Sequence, residues 1–130
     1  MREGAAGLVR HEMAHAMEFD VLTRRAGIKF FEANVTREQV NGLFARQFEV
    51  SSEVLIEAFK RLGIGSAETA DVEKWFDKSR ADVRQHISIY GAKNSREALA
   101  EALACEDKNN KTCNTVKEVW NELLKKEGLL

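Results

Sequence analysis

Not one proline interrupts the 130 residues of this chain, and its eight glycines are spread along it rather than clustered. No position is therefore barred from a helix interior, and the elements must be read from caps and from the spacing of apolar residues. Both indicate helix almost throughout. At 44% hydrophobic and 32% charged, the chain can close one core and is too short for two ordinary domains. Residues 1–130 are read as a single, compact, mostly α domain of about six helices, with at most a short strand pair.

The first helix runs from about Leu8 to Thr23 and is apolar on nearly every side, which predicts a place in the middle of the domain. The segment Ile28 to Val35 is the best strand candidate. Thr36 with Gln39 is a capping box opening a second helix that carries Val40, Leu43, Phe44 and Phe48. Ser51 or Ser52 opens a third, which ends at Gly63 or Gly65. A fourth begins near Ser66, with Val72, Phe76, Ser79, Val83 and Ile87 as its inner stripe. Asn94 with Glu97 opens a fifth, running to about Glu106, and Thr115 with Glu118 opens the last. Trp75 and Trp120 lie in apolar stripes and are read as core.

The formal charge is -1, from 20 basic and 21 acidic residues. Such a balance supplies no field to gather nucleic acid or an anionic membrane, so neither is expected as a partner. No apolar run has the length of a membrane span, and the N-terminus lacks the apolar stretch of a signal peptide. No compartment follows from this. Cys105 and Cys113 are expected to be free thiols, with a disulfide between two helix ends as the alternative.

The chemistry is concentrated in His11-Glu12-Met13-Ala14-His15, an HExxH motif inside the first helix. Two histidines four residues apart lie about 40° from each other around a helix axis, one turn apart, so both imidazoles can grip one metal. Glu12 projects beside that face, where a carboxylate can take a proton from a metal-activated water. The motif uses two of the chain's three histidines. The competing reading is a helix with two partly buried, hydrogen-bonded histidines and no metal.

A zinc ion with an open position takes three protein ligands, so a third is needed. The HExxHxxGxxH pattern would require Gly and His where Glu18 and Val21 stand. The glutamate spacings of thermolysin-like and aminopeptidase-like zincins fall on Val35 and Asn34, leaving Glu38 as a rival out of register. His86 is an alternative ligand or oxyanion donor, or simply a helix-end histidine, and Asp20 is read first as a helix-surface residue.

The segment from Tyr90 through Glu97 to Glu101-Ala102-Leu103 resembles the second half of the zinc site in the anthrax lethal factor family, and in zincin-like domains associated with phage head-morphogenesis modules. There a tyrosine lies seven residues before a metal-binding glutamate that opens an ExxxEA helix. The resemblance implies Zn2+ as cofactor, with His11, His15 and Glu97 as ligands. It also implies Glu101 as a carboxylate behind them and Tyr90 as a hydrogen-bond donor to the reacting centre. Glu97 and Glu101 stand one helical turn apart, so one can bind and one can orient. Each also has a plainer explanation: Glu97 as the capping partner of Asn94, Glu101 as a solvated residue, Tyr90 as core.

The family places a small sheet before its HExxH helix, and the edge strand of that sheet aligns a peptide. Only ten residues precede His11 here. Either the chain is the C-terminal part of a larger protein whose upstream domain supplies the strands, or it is a compact helical variant. The function expected is zinc-dependent hydrolysis of a peptide or protein substrate with Glu12 as general base, in a phage-associated or effector setting. The alternative is a non-catalytic structural or interaction module that retains the zincin helix.

Overall fold

The computed structural model describes residues 4–28 and 35–130. The chain is mostly α. Its elements are α1 (Gly4–Ala26), α2 (Arg37–Ala45), α3 (Glu49–Leu62), α4 (Val72–His86), a short 3-10 helix (Tyr90–Lys93), α5 (Ser95–Ala104) and α6 (Lys111–Lys126). No strand occurs among the described residues, and most of the Ile28 to Val35 candidate, residues 29–34, lies outside them.

Caps explain most helix ends. Thr36 and Gln39 form the reciprocal capping box expected, at 3.1 and 2.8 Å. Gly63 closes α3 in the left-handed conformation at φ 69°, with Ile64 N–H donating to the Phe59 carbonyl at 3.0 Å. Three starts differ from expectation, each because a hydroxyl is used elsewhere. Ser51 and Ser52 lie inside α3 and meet Ser95 Oγ at 2.8 and 3.2 Å. Ser66 accepts from Glu68 N–H in a local turn, so α4 starts instead at the Asp71 cap. Thr115 donates to the Lys111 carbonyl within α6, whose cap is Asn110.

The helix in the middle of the domain is α5, not α1. It packs against α1, α3, α6 and the 3-10 helix, and its Ala98, Leu99, Ala100, Ala102 and Ala104 are all buried. Alanine at so many positions lets neighbouring backbones approach from several sides. At Gly91 a Cβ would come within 3.2 Å of the Ala98 backbone, so glycine there lets the 3-10 helix press onto α5. By contrast α1 buries Ala14, Val21 and Leu22 and leaves Val9, Met13 and Met17 exposed. All-round apolarity was a poor guide to its position.

Phe59, Trp75, Val83 and Trp120 form the centre of the core with α5, confirming both tryptophans as core. Fully burying each such side chain is worth about 1.5–3 kcal/mol, so α3, α4 and α6 provide a rigid frame that holds α5 against α1. Cys105 and Cys113 are free thiols, and burial, with Cys105 beside it, pushes the Cys113 thiol well above its ordinary value.

Candidate metal centre

The register of α5 decides what faces α1. Ser95 is fixed to α3 by the two serine hydroxyls, and the Asn94 side chain accepts from Glu97 N–H at 2.9 Å. Asn94 therefore caps α5, but the Glu97 side chain does not return to complete a capping box. It points to α1. His15 Nε2 lies 2.6 Å from Glu97 Oε1, His11 Nε2 lies 3.4 Å from Glu97 Oε2, and the two Nε2 atoms are 3.2 Å apart.

These are the atoms a metal would need. Ligands about 2.0–2.2 Å from a tetrahedral zinc are about 3.4 Å from one another. The two Nε2 atoms, at 3.2 Å, and His11 Nε2 with Glu97 Oε2, at 3.4 Å, come near that spacing, while His15 Nε2 meets the other carboxylate oxygen, Oε1, in a direct 2.6 Å contact. Among the described residues, His11, His15 and Glu97 form the one group of three with metal-holding geometry.

The surroundings fix how the group can act. His11 is 1% exposed, and its Nδ1 lies 2.9 Å from Glu101 Oε2. Ser88 donates from Oγ to the other Glu101 oxygen at 3.1 Å. With an acceptor on Nδ1, the neutral ring keeps its proton there and turns the Nε2 lone pair toward the cluster. Glu101 is thus a buried carboxylate, not a solvated one. Burial alone would push the Glu97 carboxyl up, but a hydrogen bond from the Tyr90 hydroxyl and the two imidazoles outweigh it, and the net shift is downward. Tyr90, half out of the core, stands edge-on to His11 with ring centres 5.8 Å apart.

At His15 the picture differs. The Glu18 carboxylate raises this imidazole above its ordinary value, burial opposes it, and Glu97 reinforces the rise. Yet His15 Nδ1 and Glu18 Oε2 stay 3.9 Å apart, an ion-pair separation rather than a hydrogen bond. His15 Nδ1 and both Glu18 oxygens are buried with no hydrogen-bond partner. Buried polar atoms left in that state are rare and point to an unmade interaction. These orphaned atoms lie beside two imidazoles and a carboxylate that converge as a group able to hold a metal ion.

Of the residues the sequence singled out, His11, His15, Tyr90, Glu97 and Glu101 come together from α1, the 3-10 helix and α5. Glu12 does not join them by contact: it is exposed on α1 and makes no hydrogen bond or ion pair among the described residues. His86 sits at the end of α4, where its carbonyl accepts from the Asn110 side chain, and Asp20 is exposed. Glu38 is exposed near the start of α2.

Sequence reasoning missed Glu18, Arg96 and Ser88. Glu18 follows His15 by three and His11 by seven, on the same helical stripe, so its spacing could have identified it. Arg96 adjoins Glu97 and reaches Glu18 Oε1 at 3.3 Å. Ser88, in the turn before the 3-10 helix, carries no comparable signal. A cavity of about 290 Å3 shares Glu18 and Arg96 with this region, but apart from Gln47 its other walls are apolar residues such as Leu22, Leu43 and Phe44, and none of the three ligand candidates lines it. No family model, no curated protein and no solved structure matches the chain.

Proposed function

We propose that this chain is a zinc-dependent metallopeptidase-like domain in which His11, His15 and Glu97 hold the ion. The observation that carries the reading is the convergence of those three side chains, from two helices far apart in sequence, with a ligand atom of each within 4.8 Å of the others. Three protein ligands rather than four favour a catalytic over a structural site. When bound, zinc supplies Lewis acidity, acidifying water and polarising a carbonyl.

The remaining roles belong to the chain's own groups. Glu101, held by Ser88, keeps the His11 proton on Nδ1 and leaves Nε2 free to ligate. Glu12, next to His11 and open to solvent, accepts the proton of the attacking water and passes it to the leaving amine. The Tyr90 hydroxyl, already within hydrogen-bond reach of Glu97, donates to the oxyanion as it develops. The substrate class is a peptide or protein.

The test is metal content together with hydrolysis of a mixed fluorogenic peptide library. One zinc per chain is expected, and Glu12→Gln should keep the zinc while hydrolysis falls by about 10²–10⁴-fold. A chain purified without chelators that takes up no zinc overturns the proposal. Stoichiometric zinc with no peptide cut by the wild type would assign the site to a non-catalytic module instead.

A further inference from the structure

Glu18 is 4% exposed at its side chain, and an ionised carboxylate so deeply buried is costly unless it is paired and hydrogen-bonded. Its only ionic neighbours among the described residues are Arg96, at 3.3 Å, and His15, at 3.9 Å. Neither contact satisfies a hydrogen bond, and the facing His15 Nδ1 is equally unpartnered. The gap is too short for a bridging water and too long for direct contact. One event removes two of the three defects: a proton on Nδ1, donated across a slightly shortened gap to Glu18 Oε2, which leaves Oε1 to the Arg96 guanidinium.

That is the tautomer His15 must adopt if its Nε2 is a ligand. We infer that Glu18, anchored by Arg96, is the positioning carboxylate for His15, fixing its ring and proton as Glu101 does for His11. The inference rests on the zinc reading of the cluster. The two histidines are then served in different ways. Glu101 reaches His11 from α5 and is steadied by a neutral hydroxyl. Glu18 reaches His15 from the same helix, three residues on, and is steadied by a cation that adjoins the third ligand. Arg96 and Glu97 are consecutive, so α5 supplies at one point both a ligand and the anchor of the opposing carboxylate. A shift of α5 along α1 would loosen both together.

The experiment is competition of Zn2+ against a chromophoric chelator, for the wild type, Glu18→Leu and Glu18→Gln, with helical content checked by circular dichroism. Nitrogen-15 spectra of the His15 ring in the zinc-loaded proteins provide a readout that mere packing would not move. The wild type should bind zinc, Glu18→Leu should bind about 10–100-fold more weakly, and Glu18→Gln, which keeps an acceptor oxygen, should recover part of the loss. The Nδ1 proton of His15 should exchange faster in both variants than in the wild type. If Glu18→Leu fails to fold, the Glu18→Gln affinity and spectrum decide. Wild-type affinity with an unchanged Nδ1 resonance in the folded variants overturns the role of Glu18 and leaves the ligand assignment standing. A wild type that binds no zinc overturns both.

Discussion

Two polar clusters are built on α1, one at its middle and one near its C-terminal end, and they are resolved in opposite ways. Near the C-terminal end the Arg25 guanidinium is surrounded by acids. It donates to Glu53 at 2.8 and 3.2 Å, to Glu127 at 2.9 Å and to Glu49 at 3.3 Å. Glu53, the buried part of its own surface and Glu127 act on it in that order, and the net result holds its charge well above the ordinary range. Arginine has only donors and carboxylates only acceptors, so this cluster closes on itself. At the middle of the helix, His11, His15 and Glu97 each offer one possible ligand atom to a common region, and the side chain of nearby Glu18 has no hydrogen-bond partner. A cluster of complementary groups is finished by folding. One whose groups can all turn acceptor atoms inward is left able to hold a metal ion.

The largest effect that would break this contrast lies at the ligands. His11→Ala or Glu97→Ala should abolish stoichiometric zinc uptake, read by metal analysis after dialysis against a zinc buffer. Retention of one zinc by either variant would move the site elsewhere.

A smaller effect follows from proton competition. The raised His15 contributes stability that is fully present below its unfolded value of 6.5 and is lost as pH rises through the higher folded value. The lowered Glu97 contributes stability present above its unfolded value of 4.5 and lost as pH falls through the folded one. Both are in place between pH 4.5 and 6.5. Zinc needs the imidazoles neutral, so the rise in Tm on adding zinc should be larger above about pH 7 than inside that window. Thermal melts with and without zinc across pH measure it, and an equal or larger rise at the acid end would contradict the assignment.

The smallest effect belongs to the closed cluster. Arg25→Met removes several partly exposed ion pairs, each worth about 0.2–1 kcal/mol. Denaturant unfolding should therefore show a loss of about 1–2 kcal/mol, while zinc affinity stays unchanged. A variant that also lost zinc would show that the two clusters on α1 are coupled.

The sequence carried local information well and long-range information unevenly. The Thr36 box and the Asn94 cap were legible because their partners lie three residues away. Ser51, Ser66 and Thr115 misled because a hydroxyl looks the same whether it caps a helix, closes a turn or bonds across the core. That His11 and His15 share a helix face was legible from spacing alone, and that Glu97 and Glu101 lie beside them entered through the resemblance carried by the pattern around Tyr90. Glu18 was legible only in part: it shares the stripe of His11 and His15, but its burial beside His15 and Arg96 is a property of packing that no spacing shows. The central place of α5 was hidden for the same reason: an alanine-rich helix looks featureless until its neighbours close around it.

The distance along the chain between the halves of the cluster has a consequence for when it can form. His11 and its partner Glu101 are 90 positions apart. During synthesis the HExxH helix leaves the ribosome long before the segment that completes it, and two histidines alone make a weak, exchangeable grip. On the proposed zinc reading, the ion would be captured firmly only after α5 has docked, so loading would follow completion of the fold.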